Sequence, residues 1–447
     1  MRNRISSGKT VLLLKIIYLF FLFIVAFGIN VSDCGLESET IMQFVVYVIT
    51  IVLYRACLGE WTVVFSSIEF FVLSMYLVYS VFAPLQYIID GYKPRVFYFP
   101  ITLDDMTDTT KLYLNIFIQI CAWITILGYP RKEFIFRKIK RFCIIRKRVV
   151  IADMLALFCL IYFAYLFLRN GLNVFLLYIR SIRLMTDSEI NQYIYIYMVA
   201  YSFGTISAMI IDRKVKRFDL ARIIMISLFW AMSLFVDRKY FILLAIMIIV
   251  VILTHIQKTR KPVFIGSILL VIAMIAMGLA REGYLTGKLS LHDTLYYSGT
   301  EFVLVEYVSV FYIHKFDFGR QLLNGLSYTY YVLAFFIPHI VFPGKPLTLG
   351  EVFYREAHPN VGFAFNPIAE GLMNFGSNSV FTTPILMVLY ILFAEKIGKK
   401  HPLIYVLMFG YCINIMRGMW AIMVFEIVFF LIIFHLFYST VWIKEQL

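Results

Sequence analysis

Four arginines, a lysine and a glutamate stand out in this chain for the chemistry they can do together. Arg238 in "VDRKY", Arg281 in "GLAREGY" and Arg417 in "NIMRGMW" each lie just beyond a long apolar run. Lys345 in "PGKP" and Arg355 in "FYREAH" add two more cations between them. A guanidinium is a planar fork that matches phosphate oxygens bidentately and keeps its charge. A cluster of such groups can hold a phosphate or pyrophosphate and stabilise the charge that develops when pyrophosphate leaves, without a metal. The plainer use of a cation at a helix end is to reach the lipid head groups, with its stem along the apolar surface.

The glutamate is Glu370, in "FNPIAEGLMNFG" (365–376), flanked by apolar residues just ahead of another apolar run. Partial desolvation of a carboxylate there would raise its pKa toward that of a working general base. Its structural alternative is an ion pair with a nearby arginine. Glu351, Glu356, His339 and His358 are rival bases in the same region. Tyr284, Tyr328 and Tyr331, with His339, His358 and Asn374, are candidate sugar contacts, since a tyrosine ring stacks on a sugar while its hydroxyl meets sugar hydroxyls. The alternative for the tyrosines is an aromatic belt at the membrane interface. The region has no Asp-x-Asp pair and no histidine cluster. Neither a metal site nor a cofactor is expected.

These residues must be positioned by elements that live in lipid. The chain has 447 residues, 62% hydrophobic and 15% charged, with a mean hydropathy of +0.83. That much apolar surface indicates an all-α polytopic membrane protein. A bilayer core of ~30 Å takes about 20 apolar residues per helix. Twelve spans are expected near 11–30, 41–58, 61–83, 111–129, 149–168, 190–211, 221–236, 240–256, 263–280, 378–394, 402–416 and 419–441. The first run is read as a transmembrane helix because no small-residue cleavage site follows it. The six cysteines show no paired or metal-ligand spacing, so neither a disulfide nor a zinc site is expected.

Placing the basic start "MRNRISSGK" inside puts both termini in the cytoplasm and 25 Lys/Arg inside against 15 outside. This bias agrees with the positive-inside rule and explains the net charge of +14 without nucleic acid. Among the polar residues within spans, Glu69, Asp153, Glu426 and His435 are functional or paired by expectation. Asp153 lies near the inner end of its span, while Glu69 and Glu426 lie deeper and can orient Arg417 or another outer arginine.

The expected organisation is nine helices over 1–280, one large outer loop over 281–377 and three helices over 378–447. Within the loop, 326–342 is nearly long enough to span, but Pro338 and Pro343 break helix. It is expected to re-enter or to lie along the interface. A compensating crossing near 296–313 is disfavoured because Glu301 and Glu306 are costly in lipid.

With these features in hand, the chain resembles the bacterial oligosaccharide repeat-unit polymerases, the O-antigen polymerase (Wzy) family. The likeness lies in about a dozen spans with a late outer loop, in "VDRKYFILL" and "MGLAREGYL", and in "GLSYTYYVLAFFIPHIVFPGKP" followed by "FAFNPIAEGLMNFG". It covers roughly 230–420 in detail. The resemblance implies a metal-independent, GT-C-like glycosyltransferase of the bacterial cytoplasmic (inner) membrane. Such an enzyme moves a growing O-antigen or capsular glycan from undecaprenyl pyrophosphate onto the next lipid-linked repeat unit. It also implies a separate chain-length regulator as partner. Arg238, Arg281 and Arg417 would bind pyrophosphate, and Glu370 would deprotonate or orient the acceptor hydroxyl. An O-antigen ligase shares the donor and is the nearest rival. A lipid-linked oligosaccharide flippase is the non-enzyme rival, although its polar groups would be expected near the midplane. A membrane acyltransferase would want a better placed histidine than His255 or His435.

Overall fold

The computed structural model describes residues 8–32, 34–58, 64, 67–92, 101–127, 142–170, 188–212, 217–233, 238–255, 291–316, 322–358, 365–398 and 401–442. The helices are α1 (Gly8–Val31), α2 (Leu36–Leu58), α3 (Ile68–Ile89), α4 (Leu103–Leu127), α5 (Val149–Asn170), α6 (Ser188–Asp212), α7 (Arg217–Ser233) and α8 (Arg238–His255). They continue with α9 (Leu291–Phe316), α10 (Tyr330–Phe335), α11 (Leu349–Ala357), α12 (Pro367–Phe375), α13 (Ser379–Gly398), α14 (Pro402–Tyr411) and α15 (Trp420–Phe437). Two short strands, β1 (Phe142–Arg146) and β2 (Tyr438–Trp442), pair antiparallel with Arg146 opposite Tyr438.

Among the described residues, eight helices are long and apolar enough to cross a membrane. They coincide with eight of the twelve expected spans. Three further expected spans fall on shorter apolar helices, α7, α8 and α14, and 263–280 lies outside the described residues. Leu12, Phe20, Phe23 and Phe27 of α1 and Val150, Met154, Phe158 and Ile161 of α5 face outward. Apolar faces of this extent are foreign to a water-exposed surface and suit lipid. The most enclosed of these spans is α6, with 83% of its apolar window buried; α5, α7, α8 and α15 pack against it.

At one end of the bundle the ribbon is stapled to three helices. Arg146 of β1 reaches Asp219 of α7 (2.5 Å), and Arg222 bridges Asp219 (2.8 Å) and Asp153 of α5 (2.7 Å). Tyr201 of α6 also donates to Asp153 (2.7 Å). Asp153 is therefore ion-paired rather than extended toward water. This is the end to which the positive-inside count assigns the basic segments.

The segment 291–316 differs from expectation. It forms α9, whose 26 residues extend roughly 39 Å at 1.5 Å per residue. Phe302 packs on Tyr79 and Phe82 of α3. Ser309 and His314 meet Tyr113 and Asp105 of α4. These contacts seat α9 inside the bundle, antiparallel to α4. The cost of Glu306 argues against a helix facing lipid, but here Glu306 faces protein and is fully buried. The segment 326–342 forms no long helix. It is a 3-10 turn (Leu326–Tyr328), the six-residue α10 and a series of turns.

Candidate functional site

The local sequence dictates how α12 begins. Asn366 caps it, accepting from the backbone N–H groups of Ile368 (3.0 Å) and Ala369 (2.7 Å). Pro367 fills the first helical position, where its missing N–H is not needed. The cap also reaches α9. Asn366 donates to the Val305 carbonyl, and the Ser309 hydroxyl donates to Asn366 Oδ1 (3.0 Å).

Asn366, Glu370 and Asn374 recur every four residues, so they share one face of α12. All three are buried. Glu370 Oε1 accepts from the Ser327 hydroxyl (2.5 Å), and Oε2 accepts from the backbone N–H of Trp420 (2.8 Å). Asn374 donates to Ser327 Oγ (2.7 Å) and to the Glu370 carbonyl (2.8 Å), and accepts from the Gly325 N–H (3.0 Å). Backbone bonds from Leu323 to Met373 and from Asn324 to Asn374 complete the seam. One carboxylate thus joins three segments distant in sequence: the 322–329 loop, α12 and the turn into α15. Its partners are neutral donors, not the arginine that a simple ion pair would require.

Arg417 belongs to the same assembly through its backbone. Gly418 adopts φ 109°, a region that favours glycine, and its N–H donates to the Phe365 carbonyl (2.5 Å). The turn that follows Arg417 is therefore held at Gly418 and again at Trp420. Tyr328 stacks on Phe375, with ring centroids 6.0 Å apart. Its hydroxyl is buried and makes no hydrogen bond among the described residues. Burial, and then the nearby Glu370 charge, push this phenol above its ordinary value. It stays protonated and keeps a donor to offer.

The remaining sequence candidates fall as follows. Arg238 is the first residue of α8. Lys345 donates to the Ile337 carbonyl (3.2 Å) and lies over the Phe335 ring. Arg355 is exposed on α11, and His358 ends that helix at φ 46°. His339 is exposed, whereas Tyr331 is partly buried. Glu351 is used in a capping box with Thr348, and Glu356 pairs with Lys315 (3.1 Å). Arg281 and Tyr284 lie outside the described residues. Among the described residues, no group of three His, Cys, Asp or Glu side chains is placed to hold a metal ion.

Sequence reasoning missed three participants. Ser327 lies in an unremarkable "GLSY", and the Trp420 donor is a backbone group invisible to side-chain patterns. The third is Lys239. Glu426 of α15 was expected to orient an outer arginine, yet its Oε1 accepts from Lys239 (2.5 Å), Tyr240 (2.8 Å) and Gln192 (3.1 Å). Glu69 lies in the first turn of α3, a position that suits an acidic side chain because of the helix dipole. The signal that was available is the Asn-x3-Glu-x3-Asn stripe on an otherwise apolar helix.

Close packing holds α12 against α13. A Cβ on Gly371 would collide with Thr383 Oγ1 and come 3.1 Å from Ser379 Cβ. Gly371→Ala is expected to cost about 1–3 kcal/mol through overpacking, read as a lower thermal transition in detergent. An unchanged transition would show that α12 can shift on α13. No protein-family model, curated protein or solved structure matches this chain, so its functional reading rests on its own residues.

Proposed function

We propose that the chain is a multi-pass membrane glycosyltransferase that joins polyprenyl-pyrophosphate-linked oligosaccharide units into a polymer. The observation that supports this reading is the coupling of the Arg417 turn to the buried Asn366–Glu370–Asn374 stripe. A cation suited to pyrophosphate is thereby fixed to a carboxylate suited to acceptor chemistry. In this reading Arg417 acts with Arg238 and Arg281 on the pyrophosphate, and Lys345 and Arg355 supply further positive charge. Tyr328 and Asn374 flank the acceptor. Glu370 serves the acceptor hydroxyl once that hydroxyl displaces Ser327 from Oε1. Until then it holds the three segments together.

The test is a gel of surface polysaccharide from the host strain lacking this gene, beside its parent. The ladder is expected to collapse to a single-repeat band. Reintroducing Arg417→Ala should leave polymer reduced by roughly 10²–10³-fold, the scale for losing one preorganised charge-stabilising donor, with normal amounts of protein in the membrane. Loss of every glycan band in the deletion strain would instead favour the ligase or the flippase. Normal ladders from Arg417→Ala would remove that residue from the reaction.

A further inference from the structure

One helix length away from the Glu370 cluster, at the far end of α15, the stapled ribbon encloses a second polar feature. A small open cleft lies between β1, α5, α6, α7 and the start of β2, lined in part by Arg146, Lys147, Asp153 and Arg222. Its charges do not balance. Asp219, 1% exposed, is committed to Arg146 and Arg222, and Asp153 to Arg222 and Tyr201. Arg146 spends its remaining reach on the Thr205 carbonyl at 3.3 Å. Lys147 stands at the cleft, exposed, and joins no ion pair among the described residues. Arg148 beside it is exposed as well.

An apolar track adjoins this excess of positive charge. From Val149 onward α5 turns Val150, Ile151, Met154 and Phe158 outward, so the cationic cleft passes directly into a lipid-facing surface. The segment leading into the cleft, 131–148, carries nine Lys/Arg and one Glu. Basic clusters at the cytoplasmic end of membrane helices attract anionic lipid. A free anion would use the cations but not the track. A zwitterionic lipid would use the track and bring a cation of its own to the cleft.

We propose that this cleft seats the phosphate of an anionic membrane phospholipid, held by Lys147, with its acyl chains along α5. The cleft is too small to enclose a molecule, so a phosphate would rest at its mouth, beside Lys147. The bound lipid would bridge the ribbon, α5 and α6 at the end where the Arg146–Asp219–Arg222–Asp153 staple already joins them.

The test uses the full chain purified in detergent and examined by native mass spectrometry with phosphatidylglycerol or phosphatidylcholine added at equal concentration. The wild-type protein is expected to retain phosphatidylglycerol roughly fivefold better, the scale for one basic residue beside an anionic lipid. Lys147→Gln should abolish most of that preference, and Lys147→Arg should preserve it. Lys147 joins no ion pair among the described residues, so neither change disturbs the staple, and circular dichroism checks the helix content. Equal retention of the two lipids would overturn the proposal, as would a Lys147→Gln protein with wild-type preference. Stabilisation by millimolar inorganic phosphate equal to that by phosphatidylglycerol would also overturn it, because the ligand would then be a free anion. The readout involves no glycan transfer, so its failure and that of the polymerase reading are separable.

Discussion

Glu370→Ala is expected to abolish polymer formation and to weaken the fold, whereas Glu370→Gln should abolish polymer formation alone. The difference follows from the donors around the carboxylate. Alanine leaves the Ser327 hydroxyl and the Trp420 N–H without their acceptor. Each buried donor left unsatisfied costs about 1–3 kcal/mol, and the vacated volume adds a cavity term. The Trp420 N–H is a backbone group and cannot turn to another partner. Glutamine keeps the shape and one acceptor oxygen for Trp420, while its amide can donate to Ser327 Oγ. It removes the charge and the basicity with a structural cost of about 1 kcal/mol. Thermal transitions in detergent, set beside glycan ladders, separate the two effects. A fully active Glu370→Gln protein would show that the carboxylate only clamps the three segments and takes no proton.

The second large effect lies in the ion pair that ties α8 to α15. Glu426, 1% exposed, accepts from Lys239, Tyr240 and Gln192 on one oxygen. Glu426→Leu would take the carboxylate away from the Lys239 ammonium, 21% exposed. Breaking a buried pair by removing one partner costs about 3–5 kcal/mol. Lys239→Met is expected to cost somewhat less, because Tyr240 and Gln192 still donate to the carboxylate. The double variant Lys239→Met/Glu426→Leu should be more stable than the sum of the single losses implies, since neither charge is left alone. Strict additivity in the thermal transitions would show that the pair does not hold α8 to α15. Because Lys239 adjoins Arg238, loss of the pair should also displace the start of α8 and lower polymer yield.

Much of the helical framework was legible without coordinates. Eight of the twelve expected spans match helices of span length, because a run of apolar side chains long enough for a bilayer leaves few alternatives to helix. The refusal of 326–342 to form a spanning helix follows from Pro338 within it and Pro343 just after it. The start of α12 was likewise local, since an Asn-Pro pair ahead of apolar residues is a helix start. The site was legible only in outline. Glu370 and Asn374 were singled out from their polarity in apolar surroundings, but their partners were not. The ion pair expected as the alternative for Glu370 is replaced by a serine hydroxyl and a backbone amide. The guanidinium expected beside Glu426 is replaced by the lysine next to it.

The sequence by itself determined the class of protein, most of its spans and the stripe of polar residues on α12. Each of these is written within a few turns of chain, in hydropathy, charge and four-residue spacing. Tertiary structure alone decided that α9 packs inside the bundle, that Glu370 joins Ser327 to Trp420, and that Glu426 takes Lys239. Glu370 and Trp420 are 50 residues apart, and Lys239 and Glu426 are 187 apart. No local pattern specifies such meetings. They depend on which helices lie side by side, and a carboxylate in the interior accepts whichever donors that packing brings within reach.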